Sequence, residues 1–116
     1  GDKKFAIIDA GMNDLIRPSL YEAWHRVREV ETKDIESETY DLAGPVCETG
    51  DVLAKDRELK ILPDDYVVFM DVGAYGSVMA SNYNSRFKPL ELLVTGDKVN
   101  VIKRRESFED LISLES

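Results

Sequence analysis

Apolar residues in this chain arrive in short runs that glycine, proline or clustered charge cuts off, and that punctuation restricts it mainly to short strands. Phe5-Ala6-Ile7-Ile8-Asp9 runs into Gly11 and reads as a buried strand. Tyr40-Asp41-Leu42-Ala43 alternates before the breaker pair Gly44-Pro45. Pro63-Asp64-Asp65 forms a turn ahead of Tyr66-Val67-Val68-Phe69-Met70. The β-branched and aromatic content of that segment makes it the best candidate for a buried strand. Leu90 to Val94 and Lys98 to Lys103 flank Thr95-Gly96-Asp97, the pattern of a β-hairpin with Gly96 in the left-handed position.

Helical signals are few. Pro18 suits the first turn of a short helix or a tight turn over Arg17-Pro18-Ser19-Leu20-Tyr21. Glu22 to Val30 fits a helix through Leu20, Trp24 and Val27, or a strand through His25, Val27 and Glu29; we assign strand to its C-terminal half. Glu29 to Glu38 is charge-rich and reads as an exposed connection. Ser107 followed by Asp110 caps a final helix whose Phe108, Leu111 and Ile112 share one face. The sum is a mainly β domain, an antiparallel sheet or barrel-like sandwich with a short C-terminal helix.

A chain of 116 residues is expected to form one domain over 1–116, and 43% hydrophobic content suffices for a core without metals or staples. Twenty-three acidic against fifteen basic residues leave a net charge of −8, which disfavours nucleic acid as a partner. The short basic run Lys103-Arg104-Arg105 reads as a solvated strand end. No stretch approaches the ~20 apolar residues that span a bilayer, so no membrane is expected. The start lacks a secretory apolar run, and the lone Cys47 excludes an internal disulfide and suits a reducing compartment. The cytoplasm is the expected location.

Three segments are richer in polar residues and glycine than connections in a small β fold require. They are residues 9–21, residues 44–51, and residues 71–77 continuing to 81–86. Each follows an expected strand, where loops on rigid elements build sites. Residue by residue, their chemistry stays open. Cys47 is either a small buried hydrophobe or a thiol beside the Glu48 carboxylate. Tyr75 lies between Gly73 and Gly76, in a turn or a phosphate-binding loop, and Arg17 is a surface ion pair or an anion site. One Cys and one His (His25) cannot complete a zinc site or mark a hydrolase.

Taken in order, Asp9-Ala-Gly-Met-Asn-Asp14, Arg17-Pro-Ser-Leu-Tyr21, Gly44-Pro-Val-Cys-Glu-Thr-Gly-Asp51, Gly73-Ala-Tyr-Gly76 and Ser81-Asn-Tyr-Asn-Ser-Arg86 closely resemble the C-terminal region of diaminopimelate decarboxylases. The resemblance runs from Phe5 to about Leu111. It departs at Phe87-Lys88-Pro89, where the family more often has Pro-Arg-Pro, and at Trp24, where Tyr is common. The resemblance implies a β-domain that works with an N-terminal (β/α)8 barrel, needing about 250 residues, and with the second subunit of a homodimer. A strand of this domain drawn from the family's N-terminus is expected to lie outside these residues, as is the lysine that anchors the cofactor, pyridoxal 5′-phosphate. It also implies site roles: Cys47 as the proton donor, reaching into the neighbouring subunit; Glu48 for the distal ammonium of meso-diaminopimelate; Arg17 and Tyr21 for its distal carboxylate; and Tyr75 at the substrate and the cofactor phosphate. An ordinary thiol, with pKa ~8.5, is mostly protonated near neutral pH and has a proton to give. Ornithine-type decarboxylases are the nearest alternative, but they typically carry Asp after the Cys and have no distal carboxylate for Arg17 to meet. A non-catalytic dimerisation or regulatory domain is a third reading. By itself the chain is expected to be inactive.

Overall fold

In a computed structural model that describes residues 3–115, the chain is mainly β, as its punctuation implies. In order, β1 (Lys4–Ile7), α1 (Arg17–Tyr21), β2 (Val27–Glu29), β3 (Glu38–Ala43), β4 (Val52–Leu59), β5 (Val67–Phe69), β6 (Glu91–Thr95), β7 (Lys98–Lys103) and α2 (Phe108–Leu111) follow one another. Single 3₁₀ turns at Ser77–Met79 and Tyr83–Ser85 interrupt the long connection before β6. The strands make three small sheets: β1-β3-β4, β2-β5 and β6-β7. One pairing departs from the antiparallel expectation, since β1 runs parallel to β3 with Ala6 opposite Leu42.

The core forms where β3 and β4 face β5. Leu42 is fully buried with Ala54 and Leu59, and Ile8, Tyr40, Ile61, Val67 and Phe69 pack around them. Burying such side chains stabilises the fold by about 1.5–3 kcal/mol each. β4, the longest strand, has no counterpart among the strands expected from the sequence. Its Lys55-Asp56-Arg57-Glu58 stretch breaks any alternation because two irregularities add residues to it opposite β3. At the first of these, Asp56 takes a left-handed φ of 55° and its N–H donates to the buried Asp41 carboxylate at 2.9 Å. Arg57 then reaches across to β2, donating to the His25 carbonyl at 2.6 Å, with its guanidinium 4.3 Å from the Trp24 ring centroid.

Two burial expectations need correction. The Tyr66–Met70 segment is not the most buried strand, because β5 pairs only with β2 and leaves Val68 outward. β1 is a sheet edge, so its Phe5 and Ile7 are 65% and 70% exposed while Ala6 and Ile8 turn toward the core. The hairpin is present where expected, with Gly96 at φ 62°. So is the capped final helix: the Ser107 N–H donates to Asp110 at 2.8 Å, and the Asp110 N–H donates back to Ser107 Oγ at 3.4 Å.

Candidate active site

The polar loops converge at the end of β1 and β3, and a buried carboxylate organises them. Asp51, 2% exposed, accepts the Met12 N–H at 2.7 Å and the Val46 N–H at 2.6 Å, one from each of two loops. The Asp51 carbonyl also accepts the Gly44 N–H at 2.8 Å, closing the 44–51 loop at its base. Gly44 is required there by close approach: a Cβ at that position would sit 2.5 Å from the Asp51 carboxylate.

Arg86 ties the third segment to the first. Its Nη1 donates to Asn13 Oδ1 at 2.8 Å, its Nη2 donates to the Asp9 carbonyl at 2.6 Å, and Asp14 lies 3.6 Å away as an ion-pair partner. The Ser81 N–H adds a backbone bond to the Asn13 carbonyl at 2.9 Å. From this anchored stem Asn84 donates to the Val46 carbonyl at 3.4 Å, and the Tyr83 hydroxyl donates to Glu48 Oε1.

The residues singled out in the sequence stand on this frame. Cys47 is exposed at the tip of its loop, at a left-handed φ of 64°, with its Sγ 3.6 Å from the Pro45 carbonyl. Glu48 follows it and borders a cleft of about 300 Å³ with Met12, Asn13, Ile16, Ser81 and Tyr83. α1 lies against the same loop, since a Cβ on Gly50 would come within 2.8 Å of Ser19 Oγ. Arg17 opens α1, and Tyr21 ends it one turn later, at the i, i+4 spacing that shares a helix face. Glu22 stops the helix by turning left-handed at φ 54°. The Arg17 guanidinium lies 5.8 Å from the Tyr75 ring centroid, within cation–π range, so the second and third loops meet through α1. Tyr75 is itself left-handed, at φ 64°, and Gly76 beside it packs on the Val72 carbonyl where a Cβ would collide. α1 thus touches both the loop that carries Cys47 and Glu48 and the loop that carries Tyr75.

Asp51, Asn13, Tyr83 and Arg86 stand in the quoted motifs, yet the sequence assigned them no task. Each has a partner 35 to 77 residues away, which no local spacing announces. Grooves of about 330 and 430 Å³ run instead along β1, lined by Ile7, Ile8 and Val67 together with Asp64 and Asp65. Among the described residues no cluster of His, Cys, Asp and Glu is arranged to hold a metal. Nor is any helix among them long and apolar enough to cross a membrane.

Comparison with known proteins places this architecture. The family model of the pyridoxal-dependent decarboxylase C-terminal sheet domain matches residues 1–73. Diaminopimelate decarboxylase of Pseudomonas aeruginosa is 51% identical over 114 residues, which are 98% of this chain and 28% of that protein. The crystal structure of diaminopimelate decarboxylase from Helicobacter pylori complexed with L-lysine superposes with a TM-score of 0.87 at 52% identity, covering 96% of this chain and 28% of that one. A lysine/ornithine decarboxylase from Vibrio vulnificus, complexed with cadaverine, is more distant, with a TM-score of 0.61 at 26% identity over 69% of this chain and 22% of that one. The chain thus spans about 28% of the length of the curated relative.

Proposed function

This chain belongs to the pyridoxal-dependent decarboxylases, as their C-terminal sheet domain, and on that premise we propose that it completes the active site of a cytoplasmic diaminopimelate decarboxylase. In this reading it acts in cis with an N-terminal barrel and in trans with a second subunit of a homodimer. The observation that carries it is that a carboxylate, Glu48, lines a cleft with Ile16, the residue just before the Arg17 that opens α1. Diaminopimelate ends in an ammonium and a carboxylate on one carbon, and a carboxylate and a guanidinium have the charges to meet them.

The residues present fit half of a cofactor site. Tyr75 is 61% exposed, and its hydroxyl has no hydrogen-bond partner among the described residues, so it is free to donate to a phosphate oxygen. When bound, pyridoxal phosphate supplies the electron sink that allows the bond between Cα and its carboxylate to break, releasing carbon dioxide. The electron pair left at Cα then takes a proton from Cys47 Sγ, giving lysine. Glu48 holds the distal ammonium by a charge-assisted hydrogen bond. Arg17 presents its planar fork to the distal carboxylate, and the Tyr21 hydroxyl adds a neutral donor.

An ornithine-type substrate has no second carboxylate, so Arg17 decides between the two readings. In the full-length enzyme, Arg17→Ala should lower kcat/KM for diaminopimelate by roughly 30- to several-thousand-fold, the loss expected when one partner of a buried charged pair is truncated. Inhibition by lysine, which keeps the distal carboxylate once the scissile one has left, should weaken as well, whereas inhibition by cadaverine, which has no carboxylate, should change little. A small change for diaminopimelate and lysine, an equal loss for cadaverine, or a wild-type preference for ornithine would overturn the proposal.

A further inference from the structure

Cys47 is gripped on both sides by one short turn. The Asn84 amide donates to the carbonyl of Val46, the residue before it, and the Tyr83 hydroxyl donates to Glu48, the residue after it. Asn84 and Ser85 adopt left-handed φ values of 58° and 57° to make this reach. Such geometry is disfavoured for residues with a Cβ and persists where the surroundings enforce it. Here Arg86 enforces it, fixed to Asp9 and Asn13 immediately after the turn.

Glu48 needs that grip. It is exposed on a loop tip, and a free glutamate side chain has rotamer entropy to lose on capturing a ligand. A carboxylate held by one phenol still has acceptor positions on both oxygens for an ammonium group. We propose that Tyr83 is a positioning residue that fixes the Glu48 carboxylate for the substrate's distal ammonium. The proposal rests on the role given to Glu48 above. It assigns Tyr83 to ligand affinity and not to bond breaking, because the contact exists before and after the reaction alike.

The test uses the full-length holoenzyme with Tyr83→Phe, Glu48→Gln and the double variant. Steady-state kinetics give KM and kcat for meso-diaminopimelate, and calorimetry gives Kd for L-lysine and for 2-aminopimelate, which keeps both carboxylates but has no distal ammonium. Tyr83→Phe should raise KM and the lysine Kd on the order of 10-fold, with kcat within about twofold. It should leave 2-aminopimelate binding unmoved and add less than about twofold in the Glu48→Gln background. Equal weakening of 2-aminopimelate, or full additivity in the double variant, would make Tyr83 a structural residue and overturn the proposal. If Glu48→Gln weakens lysine and Tyr83→Phe does not, Tyr83 alone loses its role. If Glu48→Gln leaves lysine affinity unchanged, the ammonium role of Glu48 fails first and takes this one with it.

Discussion

Across the β6–β7 hairpin Val94 faces Val99 and Leu93 faces Asn100, in a ladder turned by Gly96. In the loops around Cys47, by contrast, several of the bonds that fix the backbone come from side chains 38 to 77 residues away. The hairpin satisfies its polar groups locally and leaves its apolar side chains outward, with Leu93, Val94, Val99 and Val101 all at least half exposed. The loop cluster does the reverse, burying Asn13 and Asp51 to hold Cys47, Glu48 and Tyr75 exposed. Regular structure here serves as surface, and irregular structure as scaffold. A change in the first should be absorbed where it is made, whereas one in the second should spread.

The sharpest form of that contrast is turnover at Cys47. In the full-length enzyme Cys47→Ala should lower kcat by ~10²–10⁴-fold, the usual contribution of general acid catalysis, with a smaller effect on substrate affinity. Mixed dimers of this variant with one lacking the barrel's anchoring lysine should recover part of the activity, because the thiol is expected to act across the subunit boundary. No recovery would place Cys47 in its own subunit's site. A comparable fall from any hairpin substitution would erase the distinction between the two regions.

Next comes Asp51. Replacing it with Ala strands the Met12 and Val46 N–H groups, and each buried unsatisfied donor costs about 1–3 kcal/mol. Asp51→Ala should therefore destabilise this chain by about 2–5 kcal/mol in urea unfolding. A loss below about 1 kcal/mol would mean that water replaces the carboxylate and that the loops are less interdependent than their bonding implies.

The same contrast explains what the sequence disclosed. The hairpin, the capped α2, β1 and the Pro18 helix are announced by neighbours a few residues apart, and each stands where it was expected. β4 was not foreseen because its bulges insert charged residues into what would be an alternating pattern, and only pairing with β3 shows why. The exposure of Phe5, Ile7 and Val68 was missed because a strand's composition does not disclose whether it lies at a sheet edge. At the site, motif resemblance supplied Cys47, Glu48, Arg17, Tyr21 and Tyr75. The supports behind them, Asp51 through Met12, Arg86 and Tyr83, reach across the chain and became legible only in three dimensions.

Acid should reveal the joint between the two regions. Glu106, just past β7, accepts the Lys88 N–H and the Asn82 amide, both at 2.6 Å, linking the hairpin base to the turn that carries Tyr83. The Lys88 N–H, with smaller help from the Asn82 amide and the Lys88 charge, holds the Glu106 carboxyl below its ordinary value against partial desolvation and a weaker push from Asp110. Arg104, aided by the Ser107 N–H, holds Asp110 well below the carboxylate range. A depressed native pKa contributes stability that is present above the unfolded value and lost as pH falls through the native one. Stability should thus decline below about pH 4.5, near the unfolded glutamate value. Glu106→Gln should flatten that decline in Tm against pH, and an unchanged acid limb would remove Glu106 as the joint.

The smallest effect expected is at Val99. This side chain is 60% exposed and meets Val94, 62% exposed, across the ladder. Full burial of a valine is worth about 1.5–3 kcal/mol, so a residue this exposed has only a fraction of that to lose. Threonine keeps the branched shape favoured in strands, and water satisfies its hydroxyl. Val99→Thr should then change stability by about 0.5 kcal/mol or less, the range of ordinary surface substitutions. With urea m-values of about 1–3 kcal/mol/M, the unfolding midpoint should move by no more than about 0.5 M. A loss above about 1.5 kcal/mol would mean that the hairpin's apolar strip is covered in solution. If that loss shrank on dilution, the cover would be another copy of the chain, since only association makes apparent stability depend on concentration. The hairpin would then cease to be mere surface, and its indifference to substitution would hold only for the dilute chain.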